Sequence, residues 1–300
     1  MKTLKPAVQK VWRMPAVLNF TLGGMGSSLY IIGTFLNYID DLNTGSVLFY
    51  KICSPILVVL GLYAVSKEAG RPSRARYLLR NVRRSWMSRE TLAAYVFILS
   101  CFLDALFSTF LFSLLGLISG FAFLLSQAMI IYKARGLPAW NVGIIVPLFI
   151  ISGIFSGSGI FMAVSVFFEL TSHYLPLITL ILLGISFFLW IGYLNHSDDS
   201  EFQFATQQLR KNKSNMLRRH ALPVVLIAIF IITQEMNFIP FADFESYLLL
   251  LAGLMAVGAE FGIRKSIITQ AGYYRQVTLY KKSNKKESNT NLELKSTLRN

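Results

Sequence analysis

The chain has 300 residues, 54% hydrophobic and only 15% charged, with a formal net charge of +14 and a mean hydropathy of +0.53. A soluble chain of this size carries about 25% charged residues. Here the apolar residues also run in long blocks, which excludes an ordinary soluble domain and points to an all-α integral membrane protein. In a soluble protein such a positive charge would suggest nucleic acid. Retention of Lys and Arg on one side of a membrane accounts for it without a nucleic-acid partner.

The N-terminal "MKTLKPAVQKVWR" is basic, but the apolar run after it is too long for a signal-peptide core, so the first span is expected to be retained. A crossing helix needs roughly 20 apolar residues. The blocks predict eight spans, at about 14–37, 46–65, 91–109, 112–132, 141–165, 175–194, 221–239 and 246–263. The third and fourth form one run, 91–132, whose single charge is Asp104. That run is too long for one crossing and long enough for two with a tight turn.

Basic residues fill the N-terminus, the loop 66–90, Lys133 and Arg135, the loop 195–220 and the segment from Arg264 onward. In an eight-span arrangement all of these share one side. Of the 29 basic residues only Lys51 falls near the other side, which carries Asp40, Asp41, Glu169, Glu235, Asp243 and Glu245. The bias predicts an eight-helix transmembrane bundle with both termini in the cytoplasm. Residues 1–265 are expected to form the membrane domain, and 266–300 a basic tail, partly disordered. Trp12, Trp86, Trp140 and Trp190 map near cytoplasmic span ends, the usual place for interfacial anchors.

Soluble-enzyme motifs are absent. "GSGIF" (157–161) lacks the third glycine and the preceding strand of a dinucleotide site. "SGIFSGSG" (152–159) instead repeats small residues four apart, which lets helix backbones approach closely. Cys53 and Cys101 are too few for a disulfide framework or for the four thiolates that hold an iron–sulfur cluster. His173, His196 and His220 fall outside the predicted spans, which argues against a haem held by two histidines within the membrane.

Charges near the membrane carry more information, because each costs free energy to insert. Asp104 and Glu235 sit toward outer span ends, where capping or solvation explains them. Glu260 and Arg264 are spaced i,i+4 on one helix face, where they are expected either to pair within the membrane or to line a polar cavity. Glu90 opens the third span, where Ser88 is a candidate cap and the carboxylate complements the helix dipole. Trp86 and Arg89 stand close by, and Glu68 ends the second span. Together they would form an interfacial pocket for an amphipathic redox ligand, with a carboxylate to accept the protons that quinol oxidation releases.

The stretch "EAGRPSRARYLLRNVRRSWMSRE" (68–90) resembles the loop between spans two and three in the dimethyl sulfoxide reductase membrane anchor (DmsC-like) family. That family reads G-x-P-x-R, then Asn, then S-W-L/M-S-R/N-E. Gly70, Pro72 in a shifted spacing, Arg74, Asn81, Ser85, Ser88 and Glu90 match. "ARGLPAWN" (134–141) resembles the start of its fifth span, and "AEFGIRKSIITQAGYYRQ" (259–276) the final span and tail of sulfite-dehydrogenase-type anchors. A more distant likeness is to polysulfide-reductase-type (NrfD-like) anchors.

The resemblance implies a bacterial inner-membrane subunit without its own metal centre. It would bind menaquinone or ubiquinone and dock an iron–sulfur subunit, which contacts a molybdopterin catalytic subunit. Carried over by position, Glu90 is the carboxylate of the quinone site, with Arg74, Trp86 and Arg89 beside it. Glu68 stands where some members have histidine; its carboxylate is expected to serve the quinone site as a proton relay, though not in a role that needs an imidazole. The rival readings are a secondary transporter, to which Pro147 and the glycines of span five would belong, and a structural scaffold.

Overall fold

The computed structural model describes residues 7–9, 12–67, 72–167, 174–197, 199–236 and 242–273. Eight of its helices are long and apolar enough to cross a membrane. They are α1 (Met14–Asp40), α2 (Thr44–Ser66), α3 (Trp86–Phe107), α4 (Phe110–Tyr132), α5 (Ile145–Ser165), α6 (Tyr174–Leu194), α9 (Lys213–Met236) and α10 (Ala242–Gln270). Two short helices, α7 (Ser200–Ala205) and α8 (Gln207–Lys211), fill the link between α6 and α9. The protein is therefore an all-helical, multi-pass membrane bundle. A short antiparallel pair, β1 (Ala7–Val8) with β2 (Gly272–Tyr273), brings the two ends of the described chain together at one end of it.

Local chemistry sets some helix ends. Asn43 caps α2 by accepting from Ser46 N at 2.9 Å. The 91–132 run divides as expected into two helices. The turn is Ser108–Thr109, with Ser108 in the left-handed region at φ 47° and its N–H bonded to Asp104 O at 2.9 Å. Other ends differ from expectation. Residues 133–144, expected in part within span five, make successive turns before α5 begins. The last helix runs to Gln270 instead of stopping near 263, because Arg264 is buried inside the bundle and does not mark an interface. His220, expected outside the membrane, lies within α9 and is buried near the rings of Phe155 and Phe187.

Helix α1 is the centre of the bundle, with α2, α4, α5 and α10 packed around it. Small residues make that possible. A Cβ on Gly157 of α5 would lie 2.5 Å from Leu29 N of α1, and one on Gly159 would lie 3.0 Å from Gly253 O of α10. The "SGIFSGSG" run is thus a packing surface on two sides. Its hydroxyls are satisfied by their own helix: Ser156 donates to Gly153 O at 2.7 Å and Ser158 to Phe155 O at 2.7 Å.

The tryptophans depart from the interfacial-anchor expectation. Trp140 and Trp190 are buried within the protein. Trp140 Nε1 donates to Ile267 O at 2.8 Å. Trp190 packs on Tyr193, whose hydroxyl donates to Ala139 O at 2.8 Å. These rings join the α4–α5 connection to α6 and α10, so their position near span ends reflects internal packing.

Candidate functional site

Helix α3 starts earlier than expected, which moves Glu90 off the helix end. Ser85, not Ser88, is the cap: its side chain accepts from Ser88 N at 3.4 Å. Glu90 then falls on the second turn and faces the bundle interior, so neither capping nor the helix dipole accounts for it. Its Oε1 accepts from Asn19 Nδ2 of α1 at 3.1 Å and from Gln127 Nε2 of α4 at 3.3 Å. Its Oε2 has no hydrogen-bond partner among the described residues. Both donors are neutral amides, so no cation offsets the charge directly.

The chain of contacts continues through Gln127. Its Nε2 also donates to Asn19 O at 3.2 Å, and its Oε1 accepts from Arg264 Nη1 at 3.2 Å. Arg264 is fully buried and pairs with Glu260 one turn earlier, as the i,i+4 spacing predicts. It also donates to Phe20 O, and to Phe149 O at 3.1 Å, with its guanidinium over the Phe149 ring. Glu90 and the Glu260–Arg264 pair, treated separately in the sequence reading, are therefore one network drawn from α1, α3, α4, α5 and α10. It holds two carboxylates and one guanidinium. Glu260 Oε2 is buried with no hydrogen-bond partner among the described residues.

Trp86 and Arg89 do not share this interior. They line a groove of about 440 Å³ on the outer side of α3 and α4, with Leu92, Val96, Leu115 and Ile118 on its walls. Arg89 stacks on Trp86, 4.1 Å from the ring centre. Its Nε donates to Val82 O at 3.0 Å and its Nη2 to Arg83 O at 2.8 Å, which ties the preceding loop to the start of α3. The expected single pocket is therefore two adjoining compartments. Small residues separate them: Ala93 and Ser126 line the groove, one turn after Glu90 and next to Gln127 respectively. Such a groove suits a flat ring with an apolar tail, since its lining is mostly apolar and includes an indole and a guanidinium. Glu68 lies outside the described residues, and Arg74 belongs to the 3₁₀ segment Pro72–Asn81 with its side chain outside the description.

A second polar cluster sits at the opposite end of the bundle. Asp104, expected to be solvated or capping, is fully buried. Its Oδ2 pairs with Lys51 Nζ at 3.2 Å and accepts from the Tyr30 hydroxyl at 2.7 Å, and its Oδ1 accepts from Ser113 Oγ at 2.8 Å. Lys51 also donates to Asp104 O at 3.1 Å. The sole basic residue on the acidic side is therefore the partner of the sole charge in the 91–132 run, a pairing that those two exceptions could have suggested. Glu235, given the same explanation as Asp104, has its side chain outside the described residues.

Sequence reasoning overlooked Asn19 and Gln127. Each is a carboxamide inside an apolar span, which is costly without a partner, and that cost was the available signal. Compared with models of known families and with curated proteins, the chain matches none.

Proposed function

We propose that this chain is the quinone-exchanging membrane anchor of a multi-subunit molybdenum oxidoreductase, set in a bacterial inner membrane. The observation that carries the reading is Glu90: a buried carboxylate with one oxygen held by two amides and the other unoccupied, one helical turn from a lipid-facing groove. A quinol entering the groove brings two hydroxyl protons into an apolar site. Glu90 Oε2 takes one proton, and the other leaves through the groove to cytoplasmic water as two electrons pass to the iron–sulfur partner. Oε1 stays fixed by Asn19 and Gln127, and Trp86 and Arg89 bound the ring. Holding the acceptor rigidly keeps it one helical turn from the groove, so the proton has only the small residues Ala93 and Ser126 to pass. The same groups run in reverse for a sulfite-dehydrogenase-type partner that reduces quinone.

Electrons leave for an iron–sulfur partner, itself in contact with a molybdopterin subunit. The basic residues gather at the Glu90 end of the bundle, where Arg80, Arg83 and Arg84 are exposed. The positive-inside bias supports reading that end as cytoplasmic, with both termini on the same side. A secondary transporter would concentrate its charges near the membrane midplane. Here Glu90 and Asp104 lie near the two ends of α3, and Arg264, the deeper charge beside Gly24 and Gly153, is held in an ion pair with Glu260.

Purification through this chain from its native membranes is expected to bring down an iron–sulfur protein and a molybdopterin protein. Menadiol added to that complex should reduce its iron–sulfur centres, read by electron paramagnetic resonance. Glu90→Gln is expected to slow that reduction about 100-fold with the complex still assembled. Purification of the chain alone, or wild-type reduction by an assembled Glu90→Gln complex, would overturn the proposal.

A further inference from the structure

The geometry points to Arg264 as a positioning residue for Glu90, acting through the Gln127 amide and held in place by Glu260. A carboxamide has nearly the same shape in either orientation, so its neighbours decide which end is oxygen. A guanidinium only donates. With Arg264 Nη1 at 3.2 Å, the facing end of Gln127 must be Oε1, which turns Nε2 toward Glu90 Oε1 at 3.3 Å. The reverse orientation would set amide hydrogens against the guanidinium and the amide oxygen against the carboxylate, unfavourable at both ends in a low-dielectric interior.

The position of Arg264 is itself over-determined. Glu260 holds it as an ion pair, Phe20 O and Phe149 O accept from its Nη1 and Nη2, and two missing side chains make room for it. A Cβ on Gly24 would lie 2.6 Å from Nη2, and one on Gly153 would lie 2.9 Å from it. The site is thus shaped for a guanidinium, at a depth where burying one carries a heavy desolvation cost. The result is one polarity along the whole chain: Glu260 carboxylate, Arg264 donor, Gln127 acceptor and donor, Glu90 Oε1. Glu90 Oε2 is the end left open. For proton transfer from a quinol this role rests on the function proposed above. For the orientation of Glu90 it does not.

The test therefore has two readouts, both on the full chain in its native complex. The first is the infrared band of the Glu90 carboxyl group, identified as the band lost in Glu90→Gln. The pair Glu260→Gln with Arg264→Gln, which removes both members of the ion pair together, is expected to displace that band. Gln127→Leu should displace it too, and all three substitutions together should displace it no further than Gln127→Leu alone. The second readout is menadiol turnover, where the Glu260/Arg264 pair should lower kcat about tenfold and leave KM within about twofold. Arg264→Lys keeps the charge but cannot reach every acceptor, and it should give a smaller displacement of the same band. An unmoved band in both the paired variant and Arg264→Lys, or displacements that add independently, would overturn the inference. Wild-type turnover in Glu90→Gln would instead sink the quinol reading and leave the infrared result to decide the positioning role.

Discussion

The two buried polar clusters, about 21 Å apart along α3 by helix rise, differ in how completely they are closed. At one end, Lys51 and Asp104 balance each other in charge, and both Asp104 oxygens are occupied by Lys51, Tyr30 and Ser113. At the other, two carboxylates share one guanidinium, Glu90 and Glu260 each leave an oxygen unpartnered among the described residues, and a groove adjoins Glu90. A closed network fixes the arrangement of α1, α2, α3 and α4. An open one keeps capacity for a ligand or a proton. Buried charge alone does not mark a functional site; an unfilled valence beside an access route does.

The largest expected effect falls on the closed cluster. Asp104→Ala strands Lys51 and should cost about 3–5 kcal/mol of stability, measured by denaturant unfolding of the detergent-solubilised protein. Replacing both charges, Lys51→Met with Asp104→Leu, should lose much less, since no charge is left unpaired. Equal losses in the single and double variants would break the idea that the cluster is a balanced pair. Gly24→Ala probes the open cluster: its methyl group collides with the Arg264 guanidinium and should cost about 1–3 kcal/mol, with a displaced Glu90 infrared band. The smallest effect is that of Tyr30→Phe, about 1 kcal/mol, because Lys51 still holds Asp104 Oδ2.

Most of the architecture was legible in the sequence, because hydrocarbon thickness demands long apolar runs and the bilayer forbids most alternatives. The placements that failed share one cause. Arg264 looked like a helix end, and Asp104 and Glu90 like residues at water, since a charge in one dimension reads as an interface. Each is buried against partners far away in sequence: Gln127 for Arg264, Tyr30 and Lys51 for Asp104, Asn19 for Glu90. The Glu260–Arg264 pair could be anticipated directly, because a single helix supplies both members. Trp86 and Arg89 were rightly placed together, but they line the outer groove. Glu90, one turn after Trp86, is turned into the bundle by its bonds to Asn19 and Gln127, partners that the sequence alone does not bring together.

The contrast between the two clusters reduces to one paired measurement on the assembled complex: menadiol turnover and unfolding midpoint for Glu90→Gln and for Lys51→Met with Asp104→Leu. Glu90→Gln should keep the midpoint and lose turnover about 100-fold. The Lys51/Asp104 variant should move only the midpoint and turn over at the wild-type rate per folded molecule. Wild-type turnover in Glu90→Gln, or lost turnover in a folded Lys51/Asp104 variant, would contradict the assignment of function to one cluster and scaffolding to the other.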